Sequence, residues 1–146
     1  MIDVKTKLRK SYYILINGQL TLNAVPVPVF DTVAGTGAGT GTYVLLNSGP
    51  GRMVNTHQSL GTEELMRVDI VSTGTFVSNA DLDTIAGQIL ALVMPTPQTH
   101  GLPSQTGICI QNVRVTNDYY NPLRTDGAVN VGRRMITFTQ TVTPTV

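Results

Sequence analysis

The stretch Ser78-Asn79-Ala80-Asp81-Leu82-Asp83-Thr84-Ile85-Ala86-Gly87-Gln88-Ile89-Leu90-Ala91-Leu92-Val93-Met94-Pro95 decides how the rest of the chain is read. Leu82, Ile85, Ala86, Ile89 and Val93 recur at the three- and four-residue spacing of one helix face. Ser78 or Asn79 stands where a side-chain oxygen can cap the free N–H groups of a first turn. Asp81 and Asp83 follow where the helix dipole favours negative charge. Met94-Pro95 stops the helix, because the residue before a proline avoids the helical region. Gly87 costs about 1 kcal/mol relative to alanine inside a helix. It is expected to mark a close approach to a sheet.

An apolar stripe needs an apolar partner, and the flanking segments supply it with a two-residue period. Met66, Val68 and Ile70 alternate with Arg67 and Asp69 over 63–72, as in a strand with one buried and one wet face. Val25, Val27, Val29 and Val33 alternate with Pro26, Pro28 and Phe30 over 24–33. Two prolines of one parity remove two N–H donors from a single side, which predicts an edge strand. Strands are also predicted at 43–46, at 108–116 with a bulge near Gln111 and Asn112, and at 132–143. Over 3–16, Val4, Leu8, Tyr12 and Leu15 share a helix face, and Asn17-Gly18 is its stop. Loops are expected near 34–42, 47–62 and 117–130, the first because its glycines have high chain entropy and little to bury. The order predicts a single α+β domain over 1–146, with a mostly antiparallel sheet and two helices packed against it.

The chain has 146 residues, enough for one core, and a formal net charge of +1. That charge is too small to gather nucleic acid or an acidic membrane on its own. Charged residues make up only 13%, about half the usual share, so little repulsion keeps copies apart. One cysteine, Cys109, excludes an internal disulfide and a cysteine-based zinc cage. Met1-Ile2-Asp3 does not open a signal peptide and no apolar run reaches membrane-span length, so the expectation is folding in the cytosol.

The search for chemistry ends without a catalytic site, metal site or cofactor. Gly35, Gly37, Gly39 and Gly41 alternate strictly and lead into an apolar strand. A phosphate-binding loop needs a Gly-Lys-Ser/Thr ending, and a dinucleotide fingerprint needs to open a helix. The stretch is read instead as a loop that orders on a partner. His57 and His100 sit in polar segments, Cys109 in an apolar strand where a buried thiol is inert, and no Gly-x-Ser-x-Gly occurs. Asp81 with Asp83 is explained by the helix start and Glu63 with Glu64 by a solvated strand entry. Lys5, Lys7, Arg9 and Lys10 are either a solvated helix face or contacts to phosphate. Arg133 and Arg134 either play an electrostatic role or flank the last strand. Tyr119 and Tyr120 either serve an interface, where tyrosine is enriched, or fold back over the core.

The order of features resembles the tail terminator and tail-completion proteins of tailed bacteriophages, over nearly the whole chain. It is carried by the helix ending in Asn17-Gly18, the Val-Pro strand ending at Phe30-Asp31, Tyr43-Val44-Leu45-Leu46, Arg67-Val68-Asp69-Ile70-Val71, the 81–94 helix and Gly132-Arg133-Arg134-Met135-Ile136-Thr137-Phe138. The resemblance implies an α+β fold, a hexameric ring of the chain with itself, and a place in the virion at the top of the tail tube, assembled in the host cytoplasm. Its implied partners are the tail tube protein and a head-side connector or neck protein, with passive contact to DNA in the channel and no membrane. The glycine-rich loop and the 47–62 loop are expected to reach neighbours. Another neck, head-closure or tail-tube ring protein is the nearest alternative. An intracellular module whose glycine-rich loop closes on a small ligand is a second, and an enzyme a third.

Overall fold

In a computed structural model, residues 3–31, 41–56, 59–74, 77–126 and 129–145 are described. Two helices, α1 (Val4–Ile16) and α2 (Asn79–Val93), pack on one face of a six-stranded sheet. The strands are β1 (Thr21–Leu22), β2 (Val25–Pro26), β3 (Val29–Asp31), β4 (Gly41–Ser48), β5 (Arg52–Thr56), β6 (Ser59–Gly74), β7 (Ile108–Asp126) and β8 (Val129–Pro144). The main sheet runs β3-β4-β6-β8-β7, with β5 continuing the line of β4 along β6, and β1 with β2 forms a separate small hairpin. Every pairing is antiparallel except β3 with β4. The α+β architecture expected from the sequence is therefore present.

Both helix starts obey local chemistry. Asp3 Oδ1 accepts the Thr6 N–H at 3.2 Å and Ser78 Oγ accepts that of Ala80 at 3.1 Å, each satisfying an otherwise orphan donor. α1 ends at Asn17, and Gly18 takes φ +78°, the left-handed conformation that glycine adopts freely. Leu8, Tyr12 and Ile16 of α1 and Leu82, Ile85, Ile89 and Val93 of α2 are buried against Val44, Leu46, Met66, Val68, Ile70, Ile136, Phe138 and Val142. The Tyr12 and Phe138 rings lie 5.8 Å apart, tilted by 42°. Tyr12 donates to Gln140 Oε1 at 2.6 Å, and Gln140 Nε2 donates to the Glu64 carbonyl at 2.7 Å. The core's largest polar side chains are thus satisfied by one another, and burial pushes the Tyr12 phenol well above its ordinary pKa.

Several expectations are corrected. The 24–33 strand is split: Val25–Pro26 pairs with β1 across a turn in which Asn23 and Ala24 both have positive φ, and of its described residues only Val29–Asp31 reaches the sheet, 32–33 lying outside them. It does so at the edge, as its prolines required, but parallel to β4. The 47–62 loop is largely strand. Gly49-Pro50-Gly51 interrupts the line between β4 and β5, and a Cβ on Gly51 would lie 2.6 Å from Glu64 Oε1. The described part of the 117–130 loop is strand as well, since β7 runs on to Asp126 and β8 begins at Val129, with 127–128 outside the described residues. Of the 34–42 loop, Gly41 and Thr42 already belong to β4, and 34–40 lies outside the described residues. The bulge expected near Gln111 and Asn112 is present, as a register shift between Gln111 and Arg114 with Asn112 at φ +53°.

Gly87 is exposed, and a Cβ there would meet nothing within 4 Å, so it marks no close approach. Gly101 does: its Cβ would lie 2.2 Å from the Leu92 carbonyl oxygen, next to the Gly101 N–H bond to Val93 O. Gly87→Ala is expected to stabilise the fold by up to about 1 kcal/mol. Gly101→Ala should destabilise it by about 1–3 kcal/mol. Urea unfolding of the two variants beside the parent checks both signs.

Candidate functional site

Strand alternation sends even-numbered residues of β6 and β8 to the helices and odd-numbered ones to the other face, which neither helix covers. The pairing register makes rows across this open face. One row is Asn47, Arg67, Thr137 and Asn117; the next is Leu45, Asp69, Met135 and Tyr119. Leu65, Arg67, Thr116, Asn117, Tyr119, Met135 and Thr137 line a groove of about 360 Å³. Tyr119 Oη donates to Met135 Sδ at 3.1 Å, and the Thr116 and Thr139 hydroxyls lie 2.7 Å apart. Phe30 and Tyr43 stand edge to face on the same side, centroids 6.1 Å apart.

Charge on the open face is uneven. Glu63 Oε2 is shared by Arg114 at 3.1 Å and Arg52 at 3.6 Å, and Asp69 Oδ2 lies 3.6 Å from Arg133. Arg67 is exposed and has no ion-pair partner among the described residues. Asp69 is only 9% exposed, and among the described residues neither its Oδ1 nor Arg133 Nε has a hydrogen-bond partner. Desolvation raises the Asp69 pKa, and the Arg133 charge only partly opposes this.

The adjacent tyrosines separate by the same alternation. Tyr119 faces the groove, whereas Tyr120 faces α2 and donates to Asp83 Oδ1. Arg134 binds Asp118 with both arms, at 2.9 and 2.7 Å, and Asp83 Oδ1 at 2.8 Å; its guanidinium lies 5.3 Å from the centre of the Tyr120 ring. The Asp118 bonds, more than the nearby charges, hold the Arg134 pKa above its ordinary value. Arg134 therefore ties the β7–β8 hairpin to the first turns of α2, while its neighbour Arg133 lies on the open face.

The basic residues of α1 are mostly occupied within the chain. Lys5 Nζ reaches Glu64 Oε2 at 2.9 Å and the Gly49 carbonyl at 2.8 Å, and Lys7 donates to the Thr106 carbonyl. Arg9 Nε lies 2.6 Å from Asp31 Oδ1, close but not aligned as a hydrogen bond. Lys10 is exposed beside a second concavity of about 290 Å³, lined by Thr6, Arg9, Lys10, Tyr13 and Asp31. Gly35, Gly37, Gly39 and His57 lie outside the described residues, and Gly41 opens β4 at φ +110°.

Among the described residues the other candidate reactive groups are not assembled. His100 Nδ1 accepts the Leu102 N–H at 3.2 Å while Nε2 lies 3.0 Å from the Ile110 carbonyl, which assigns the ring proton to Nε2 and leaves neither nitrogen for chemistry. Cys109 is half-buried in β7. Among the described residues no three His, Cys, Asp or Glu side chains are grouped to hold a metal, and no helix is long and apolar enough to cross a membrane.

No protein-family model matches the chain, and no curated protein does. The fold matches a chain of the virion of a native gene transfer agent (GTA) particle, with a TM-score of 0.71 and 20% sequence identity. The match covers 98% of this chain and 99% of that one. At this identity the likeness establishes the fold, helices and sheet together, from one end of the chain to the other.

Two expectations follow from these contacts. Because the raised pKa makes folded Asp69 hold its proton to higher pH than unfolded Asp69 does, its contribution is most favourable below the unfolded value near 3.8 and is lost as pH rises through the folded value. Asp69→Asn should therefore gain stability relative to the parent as pH rises from about 3.5 to 6; chemical denaturation across that range tests the sign. Arg134→Ala should cost about 1–2 kcal/mol. It should also speed amide exchange in the 117–134 hairpin more than in β4.

Proposed function

We propose that this chain is a structural subunit of a phage-like particle and, within it, the tail terminator: a hexameric ring at the top of the tail tube that ends tube growth and joins the tail to the head connector. The observation that carries the reading is the end-to-end fold match to a gene transfer agent virion chain. The open sheet face and the low charge suit it too, because a ring subunit must bury surface against neighbours on more than one side. The proposed partners are other copies of the chain, the tail tube protein and a head-side connector or neck protein. DNA crosses the channel with passive contact only, no membrane is involved, and the place of action is the virion after assembly in the host cytoplasm. A structural role accords with the engagement of both His100 ring nitrogens by backbone groups.

Gly35 to Gly41, Tyr119 and Tyr120 are retained as contact candidates on unequal terms. Tyr119 is exposed at the groove, whereas Tyr120 is held against Asp83. Of the basic candidates, Lys10 is the most accessible, since Lys5, Lys7, Arg9 and Arg134 are held by internal contacts and Arg133 faces Asp69.

The mass of the purified protein in solution and its location in assembled particles test the reading together. The expected result is a species about six times the 15.7 kDa protomer, located where tube meets head. A strict monomer absent from particles would overturn it. Particles lacking the protein separate the finer roles: overlong tails identify a terminator, and normal tails detached from full heads identify a neck component instead.

A further inference from the structure

We propose that the open-face groove around Arg67 receives a carboxylate-bearing, partly apolar segment of a different protein. This names partner chemistry for the assembly role above and rests on that reading for the partner being another structural subunit. The groove joins two kinds of complementarity. Leu65 and Met135 give it an apolar floor, Tyr119 an aromatic wall, and Thr116, Thr137 and Asn117 polar groups that can bond a peptide backbone. The Arg67 guanidinium stands at the same groove, exposed and without an ion partner among the described residues.

Charge bookkeeping selects the occupant. Among the described side chains, the open face carries Arg52, Arg67, Arg114, Arg124 and Arg133 against Glu63 and Asp69, and both carboxylates are already paired. What it lacks is an anion, and guanidinium recognises a carboxylate with two parallel bonds. A second copy of this chain is poorly equipped to supply one. Of the eight acidic residues whose side chains are described, all but Asp81 have a bond or ion pair among the described residues, and Asp81 sits in the first turn of α2. Nucleic acid is disfavoured for a different reason. Affinity for a phosphate backbone comes from many cations acting together, whereas here two of the five arginines share Glu63, a third faces Asp69, Arg124 lies at the far end of β7 opposite Val131, and Arg67 is set over an apolar floor.

The probe is an acetylated, amidated hexapeptide, Asp-Leu-Asp-Phe-Asp-Leu, titrated into the full ¹⁵N-labelled chain beside a version with lysine in place of each aspartate. The expected result is saturable amide shifts at Leu65, Arg67, Met135 and Thr137 with the acidic peptide and binding about tenfold weaker with the basic one. Arg67→Glu should invert that preference without moving the melting temperature, and Lys10→Glu on the helix side should leave it alone. Equal binding of both peptides, or no saturable shift at these amides, would overturn the proposal. So would an Arg67→Glu change in the protein's own solution mass, which would put a second copy on this face. A DNA duplex that shifts the same amides more tightly than the acidic peptide would overturn it as well. Loss of peptide binding beside an unchanged ring-sized mass sinks this proposal and leaves the virion reading standing.

Discussion

The antiparallel pairing of β6 with β8 is the constraint on which the rest of the molecule depends. It runs from Thr62 opposite Val142 to Gly74 opposite Asn130, so each step fixes which side chains share a face. On one face it aligns Met66 with Phe138 and Val68 with Ile136, the floor on which both helices sit. On the other it sets Arg67 beside Thr137 and Asp69 beside Met135. Slipping the register by one residue would send the core set to solvent and the arginines under the helices. The buried Tyr12–Gln140–Glu64 chain of hydrogen bonds opposes such a slip, because any other register leaves buried polar groups unpaired.

Elements whose pattern follows from burial were legible in the sequence. α2 and the center of β6 carry a pure period because one side of each faces the core. β7 was legible only as far as Thr116. Beyond it the strand is an edge with mostly exposed side chains, so no alternation marks it, and Asn117, Tyr119, Tyr120 and Pro122 read as a loop. At an edge a proline removes a donor that needs no partner, so Pro122 is tolerated there. Arg52 to Thr56 escaped notice because Gly49-Pro50-Gly51 is a strong turn signal, yet the turn only interrupts a strand line. The parallel direction of β3 is set by where the chain re-enters at Gly41, which no local periodicity records.

The candidate site was less legible, for a related reason. Arg67 and Asp69 were readable only as the wet half of an alternating strand. What distinguishes them is the cross-strand company of Met135, Thr137 and Tyr119, contributed by residues about fifty to seventy positions away. One signal was available: the odd-numbered positions of this strand include Leu65 and Val71 beside the charges, more apolar than a freely solvated face requires. Arg133-Arg134 and Tyr119-Tyr120 looked like functional pairs, but neighbours along a strand point to opposite faces. Each pair divides its work, one member to the helix tie and the other to the open face.

The position of β8 also bears on how the molecule is built in time. It is the last strand of the described chain, yet it lies between β6 and β7 and carries the pairing of both along most of its length. Tyr12 meets its hydrogen-bond partner 128 positions later. Until β8 has left the ribosome, β6 has one open edge and β7 lacks its sheet partner, so the sheet cannot close by growing from its N-terminal end. A nascent chain in that interval presents β6 edge-on to anything nearby. The late arrival of β8 delays sheet closure and gives this interval the greatest exposure to chaperones or to mispairing between copies.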